Sequence, residues 1–335
     1  MLQPTILAIE SSCDDTSAAI IRGGKILANV VATQAVHEKY GGVVPELASR
    51  AHQQNIIPVV EQAFHTANIA KSELAAVAFT RGPGLLGALL VGTSFAKSLA
   101  LGLDIPLIEV NHMQAHILAH FIDEPKPSFP FLCLTVSGGH TQLVLVKDHL
   151  DMEIIGQTTD DAVGEAFDKS AKLLGLPYPG GPMLDKLAAT GNPDRFQFPI
   201  VNLLGYDFSF SGIKTAIMYF LKEQTQQDPE FITKNLADLC ASIQQALIKT
   251  LFKKLIPAAK DLNVKEIAIA GGVSANSGLR KALQEQGEKL GWNVYIPAFQ
   301  YCTDNAGMIA MAAHFKYLKG EFSDQYASPE PRLKF

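Results

Sequence analysis

Apolar runs broken by short polar turns recur along the chain, and one such unit occurs twice. Ile6-Leu-Ala-Ile-Glu-Ser-Ser12 and Ser17-Ala-Ala-Ile-Ile21 predict two strands around a turn centred on Cys13-Asp14-Asp15-Thr16. Phe131 to Val146 repeats the plan, with two strand-like runs flanking Ser137-Gly-Gly-His140. A turn this rich in glycine can gather several backbone amides around one anion. Two hairpins of one plan, each opening a successive half of the chain, predict two similar domains facing one another across a phosphate-sized cleft.

Between the hairpins, Gly23-Gly24 closes a turn into a strand at 25–32, and Gly41-Gly42 with Pro45 marks a loop before a helical pattern running to about His65. Glu46, Arg50 and His52 have the spacing of an exposed helical surface. A short strand at 74–80 ends in Thr80-Arg-Gly-Pro-Gly84. The long helix after it, 85–100, carries Gly87, Ala88, Gly92 and Ala96, which allow close approach of another backbone, and a strand at 105–110 follows. The stiff connector Glu124-Pro-Lys-Pro-Ser-Phe-Pro130 is the domain boundary. Past the second hairpin come a helix from Thr158 to Leu174, a rigid turn at Pro177–Pro182 and a poorly periodic stretch to 210. One amphipathic helix is predicted at 231–256, with Leu236, Leu239, Ile243, Leu247 and Leu251 as its stripe. A strand from 264 ends in Gly271-Gly272, and a helix, a strand to 296 and a last helix complete the order; residues 321–335 read as a loosely packed tail. The predicted division is 1–125 and 126–335, with a helical insertion at about 160–258 and the last helix, 304–319, packing back on the first domain.

With 335 residues, 47% hydrophobic and 18% charged, the chain can bury two cores. A net charge of -5 and a pI near 6.0 give no global case for nucleic-acid binding, so an RNA reading must rest on local features. Cys13, Cys133, Cys240 and Cys302 are far apart with no Cys-x-x-Cys pair, which argues against a disulfide framework and a thiolate zinc site and fits a reducing cytoplasm. No positive segment precedes the first apolar run, which Glu10 and two aspartates interrupt, so no signal peptide is expected. The apolar stretch 85–103 carries Lys97 and many small residues, as an internal helix does rather than a membrane span.

Candidate chemistry is concentrated in a few places. His112 and His116, four residues apart, share a helix face within reach of one metal, and Asn111 is placed to cap that helix. Gln114 and Ala115 stand where a metalloprotease motif has its glutamate, which disfavours hydrolytic zinc chemistry. Asp304 either caps the last helix or completes a metal site with the two histidines. Asp15 and Thr16 read as a metal or phosphate contact or as a hydrogen-bonded turn. Asp168 stands before the Pro177–Pro182 turn with Asp185 just beyond, a carboxylate suited to a ribose hydroxyl or an amine. Asn276 reads as a ligand contact or a helix cap, as do Ser209 and Ser211.

Glu10-Ser-Ser-Cys-Asp-Asp-Thr16, Gly41-Gly-Val-Val-Pro-Glu-Leu-Ala-Ser-Arg50, His112-Met-Gln-Ala-His116, Ser137-Gly-Gly-His140, Tyr178-Pro-Gly-Gly-Pro182, Gly271-Gly-Val-Ser-Ala-Asn276 and Cys302-Thr-Asp-Asn305 together resemble the universal tRNA threonylcarbamoyladenosine-synthesis transferase family. The resemblance is collinear over nearly the whole chain. It implies an α/β fold of the duplicated actin, sugar-kinase and heat-shock-chaperone ATPase type, with two domains facing a central cleft. It also implies transfer of the L-threonylcarbamoyl group from L-threonylcarbamoyladenylate to N6 of the adenosine 3′ to the anticodon, in tRNAs reading codons that begin with A. By match to the family, His112, His116 and Asp304 hold one divalent ion, iron(II) or zinc. Thr135, Val136, Ser137, Gly138 and Gly139 meet the phosphate and carbamoyl end, and Asp168, Gly181, Asp185 and Asn276 hold the nucleoside. Asp14 or Asp15 assists removal of the amine proton. The implied partners are tRNA, an inactive paralogue subunit and a small ATPase subunit, in the cytoplasm and without a membrane. The competing reading is an ATP-binding, non-catalytic scaffold of the actin-like superfamily, which has no need for the three metal ligands to converge.

Overall fold

Six consecutive buried residues make β1 (Thr5–Glu10), the centre of the first of two sheets in a computed structural model that describes residues 3–34, 37 and 40–335. The strand is apolar at four successive positions, 6–9, rather than alternating, as expected where both faces of a sheet are covered. β2 (Thr16–Arg22) pairs with it antiparallel, and β3 (Lys25–Ala32) pairs antiparallel with β2. Helix α1 (Pro45–Ala67) has proline in its first turn, where no amide partner is lost, and ends on Asn68 in the left-handed region at φ 51°. β4 (Ala76–Gly82) lies parallel to β1; α2 (Leu86–Leu103) follows; β5 (Leu107–Asn111) lies parallel to β4 and leads directly into α3 (His112–Leu118). The sheet order is β3-β2-β1-β4-β5. Helix α2 is long and apolar enough to cross a membrane by composition, yet its face carrying Ala88, Leu89, Gly92, Thr93 and Ala96 is buried, packed with β4 and α1 as a core helix packs.

The second sheet is built from β6 (Phe131–Val136), β7 (Thr141–Asp148), β8 (Asp151–Gln157), β9 (Glu266–Ala270) and β10 (Asn293–Tyr295). Its order, β8-β7-β6-β9-β10, repeats that of the first sheet, with β6–β7 antiparallel and β6–β9 and β9–β10 parallel. Around it stand α4 (Val163–Leu173), α5 (Gly180–Ala188), α6 (Ser211–Gln227), α7 (Phe231–Lys234), α8 (Leu236–Asp261) and α9 (Ser277–Leu290). The single helix expected at 231–256 is broken at Asn235, whose φ of -117° leaves the helical region while its side-chain amide donates to the Phe231 carbonyl at 2.8 Å. Of the predicted stripe, Leu239, Ile243, Leu247 and Leu251 are fully buried on α8, and Leu236, at its first position, is half-buried against the same core.

By contacts the chain forms two units: one is the chain up to Lys126 with Asp148–Met152 and Pro297–Phe335, the other Pro127–Lys147 with Glu153–Ile296. Helix α10 (Ala306–Lys319) belongs to the first unit and packs on β1 and β2. Residues after it are not loosely packed. Glu330 N–H donates to the Arg81 carbonyl at 2.8 Å, Gly84 N–H to the Pro331 carbonyl at 3.1 Å, and Lys97 Nζ to the Ala327 carbonyl at 2.9 Å. The segment lacks apolar periodicity because backbone bonds fasten it, and such bonds leave no trace in side-chain pattern.

His52 also departs from expectation. Glu46 and Arg50 are exposed and paired at 2.7 Å, but His52 is 0% exposed, on the buried stripe Ala48, His52, Ile56, Val59, Val60, Ala63.

Candidate functional site

The Asn111 side chain accepts from the amides of Met113 at 2.9 Å and Gln114 at 3.2 Å, which fixes the start of α3 at the carboxyl end of β5. One helical turn then separates His112 from His116, and their rings meet edge to face with centroids 4.7 Å apart. Asp304 stands just ahead of α10, whose own cap is Asn305, accepting from Met308 N–H at 3.1 Å. The capping role left open for Asp304 is thus filled by its neighbour. Oδ1 of Asp304 lies 3.3 Å from Nε2 of His112 and 3.2 Å from Nε2 of His116, and one ligand atom from each residue falls within 4.8 Å of the others. Two donors bound to one ion at about 2.0–2.2 Å, with ordinary tetrahedral or octahedral angles, stand about 3.0–3.4 Å apart. The residues therefore fit a divalent ion, and two imidazoles with one carboxylate are a donor set suited to such metals. The chain carries a three-residue metal-binding site.

Behind it lies a second layer. Nδ1 of His112 is 3.0 Å from Oε2 of Glu10, a wholly buried carboxylate that also accepts from the Thr80 hydroxyl at 2.6 Å and from Ser12 N–H. The carboxylate can only accept, so Nδ1 carries a proton, and Nε2, the atom facing Asp304, is the one that would bind an ion. Burial pushes the Glu10 carboxyl up, but His112 outweighs it and holds the group below its ordinary range. Asp304 is likewise pushed up by burial and held far below its range by the two imidazoles. Burial pushes His112 down, and Asp304 and Glu10 more than reverse this, so the centre favours a cation. Burial keeps His116 on the neutral side of its usual range.

The turn after β1 carries Asp14 and Asp15. Oδ1 of Asp15 is buried without a hydrogen-bond partner among the described residues. Burial, followed by the charges of Asp14 and Asp304, pushes the Asp15 carboxyl up to about 7.

In the second unit, Gly138, Asp168, Gly181, Asp185 and Asn276 line one cavity of about 340 Å³, together with Gly164 and Phe167. Thr135 and Val136 are buried within β6, Ser137 Oγ accepts from His140 N–H at 3.0 Å, and an added Cβ at Gly139 would meet open space; these four are not among the lining residues. Asp168 accepts from Gly181 N–H at 2.8 Å, and burial pushes its carboxyl up. Asp185 accepts from Ser277 N–H at 2.9 Å and Oγ at 2.8 Å, at the start of α9. Asn276 caps α9 through Leu279 N–H at 2.8 Å and donates to Gln244 Oε1 at 2.7 Å. Ser209 and Ser211 both donate to Asp160, at 2.5 and 2.7 Å, which fastens the start of α6.

Sequence reasoning passed over Glu10 and Gly164 as site residues and placed His52 on an exposed face. Glu10 was the one charge closing an apolar strand, and His52 stood four residues from both Ala48 and Ile56. Gly164 is required by proximity, since a Cβ there would lie 2.5 Å from the Ser137 carbonyl oxygen.

Two α/β units of repeated strand order, one of them holding a His, His, Asp site, define a metal-binding member of the actin, sugar-kinase and heat-shock-chaperone fold class. Full-length HypF in its phosphate- and nucleotide-bound form shares this fold: the TM-score is 0.66 at 15% identity, over 96% of this chain and 48% of that one. The model for TsaD, tRNA N6-adenosine threonylcarbamoyltransferase, matches residues 25–311. The enzyme of that description from Cytophaga hutchinsonii is 66% identical over 330 residues, 98% of this chain and 96% of its own length. That from Christiangramia forsetii is 63% identical over 333 residues, 98% of each. The chain belongs to the tRNA N6-adenosine threonylcarbamoyltransferase family, a family of enzymes.

Proposed function

We propose that this enzyme transfers the L-threonylcarbamoyl group from L-threonylcarbamoyladenylate to N6 of the adenosine 3′ to the anticodon, in tRNAs that read codons starting with A. The convergence of His112, His116 and Asp304 in a chain of this family carries the reading. The N6 lone pair attacks the carbamoyl carbonyl carbon and forms the new C–N bond. The C–O bond to phosphate breaks, AMP leaves with its electron pair, and one N6 proton is lost. The donor is an activated mixed anhydride, so the protein need supply no nucleophile; its work is alignment and charge stabilisation.

Asp15 takes that proton, with Asp14 beside it. A carboxylate raised to about 7 is matched to base work near neutral pH. The Ser137-Gly138-Gly139 turn, with Thr135 and Val136 before it, receives the phosphate and carbamoyl end. Asp168, Gly181, Asp185 and Asn276 hold the nucleoside; the shared cavity of five of these residues supports the assignment. His112, His116 and Asp304 hold one iron(II) or zinc ion, which when bound supplies Lewis-acid stabilisation of substrate oxygens. Residues 1–125 act as the N-terminal domain and 126–335 as the C-terminal one. The latter has a helical insertion at about 160–258, and its last helix, 304–319, packs back on the N-terminal domain, in keeping with the place of α10 in the first unit. The enzyme works in the cytoplasm with tRNA, an inactive paralogue subunit and a small ATPase subunit.

The test is incorporation of labelled threonine from bicarbonate, threonine and ATP into an ANN-decoding tRNA, with the synthase and partner subunits present and this chain added or withheld. Label only when the chain is present supports the transferase; no dependence on the chain puts a non-catalytic scaffold ahead.

A further inference from the structure

We infer that His52 is a positioning residue for the transfer, clamping the Cys13-Asp14-Asp15-Thr16 turn from helix α1 through both of its ring nitrogens. Nε2 lies 3.0 Å from the Cys13 carbonyl oxygen and Nδ1 2.8 Å from Thr16 Oγ1. A carbonyl oxygen only accepts, so Nε2 carries the hydrogen; Nδ1 is then the acceptor and the Thr16 hydroxyl the donor. The two bonds grip the residues on either side of Asp14-Asp15. Burial also moves this imidazole toward its neutral form, the one that can donate and accept at once.

The position calls for an explanation because its neighbours on the buried stripe of α1 are apolar: Ala48, Ile56, Val59 and Val60. A ring that served packing alone would be cheaper as a hydrocarbon, since a buried polar group costs free energy unless it is hydrogen-bonded. The turn also needs fastening. The β1–β2 ladder ends at the Glu10 and Ser17 pair, which leaves residues 11–15 outside it. Asp15 leaves one carboxylate oxygen without a partner among the described residues, and its side chain is otherwise hydrogen-bonded to Thr33, so its own restraint comes from that one contact. Thr16 continues into β2, pairing with Ala32, so one of the two His52 bonds reaches a residue already fixed and the other reaches Cys13, on the side of the turn that lies outside the ladder.

The inference rests on the proposal that Asp15 accepts the amine proton, and a set of variants separates the two. In the complete assembly with tRNA and L-threonylcarbamoyladenylate, His52→Leu fills the volume but holds nothing. It is expected to lower kcat about 10- to 100-fold, the scale of a misplacement near 1 Å. The KM for the adenylate stays within about twofold, since the change displaces a proton acceptor rather than the binding cavity. His52→Gln, with one amide donor and one acceptor, recovers most of the rate. Asp15→Asn falls at least as far, and the double variant is no worse than Asp15→Asn alone. Should His52→Leu fail to fold, His52→Asn, whose shorter amide reaches one partner at most, replaces it in the comparison with His52→Gln. A folded His52→Leu or His52→Asn with wild-type kcat, or losses that multiply in the double variant, overturns the clamp. An Asp15→Asn enzyme with wild-type kcat overturns the Asp15 reading itself, and the clamp with it.

Discussion

Glu10→Gln is the smallest change that separates the metal-binding residues from what holds them. Oε2 of Glu10 accepts from His112 Nδ1 at 3.0 Å and Thr80 Oγ1 at 2.6 Å, while Oε1 accepts from Ser12 N–H. Glutamine has the same shape but only one acceptor end. With its oxygen toward His112, its amide group faces the Ser12 N–H, two donors in contact at a buried site, which costs about 1–3 kcal/mol. With the amide turned round, it donates to Nδ1 of His112, forces the proton onto Nε2 and blocks the atom that faces Asp304. Either arrangement weakens the centre. Loss of such an outer partner lowers metal affinity about 10- to 100-fold, or about 1.4–2.8 kcal/mol. The assay is a chelator-competition titration with zinc, run on wild type and variant of matched helical content. A variant whose affinity stays within about twofold of wild type would refute the claim that Glu10 sets the His112 tautomer.

Other changes test other layers. Gly164→Ala places a Cβ against the Ser137 carbonyl and the Gly138 backbone, so the turn must move; a raised KM for the adenylate, measured by AMP release, is expected. Asp160 is pushed up by burial, yet hydrogen bonds from Ser209, Phe210 and Ser211 outweigh it and hold its carboxyl low. The unfolded-state value is about 3.9, so the stability this group contributes is present above that pH and disappears as pH falls through the lower native value. Urea titrations should show Asp160→Asn weaker than wild type at pH 7, with the gap closing at low pH. Leu247→Ala, at a fully buried position of α8, should cost about 2–5 kcal/mol in the same measurement with no change in metal affinity.

How far the chain could be read from sequence depended on whether a feature rests on local spacing. The paired hairpins are written as apolar runs around polar turns, and both sheets carry them as β1–β2 and β6–β7. His112 and His116 are four residues apart, a spacing that declares a shared helix face. Asp304 joins them from 188 residues beyond His116, where the residues alone left capping and metal binding both open and resemblance to the family pointed to the second. His52 was misread because its spacing was matched to Glu46 and Arg50 rather than to Ala48 and Ile56. Asp185 looked like a ligand residue from the glycine turn before it, and its bonds to Ser277 join segments 92 residues apart, which no periodicity records. The segment around Glu330 and Pro331 is fastened through main-chain atoms, which every sequence supplies equally.

The most direct test of the central claim is a single-turnover reaction of the assembled enzyme with purified L-threonylcarbamoyladenylate and an ANN-decoding tRNA, counting AMP released and N6-threonylcarbamoyladenosine recovered from digested tRNA. The account predicts equal amounts of the two with wild type, and neither product above background with a folded His112→Ala/His116→Ala variant that no longer binds metal. Full modification by that variant would contradict it.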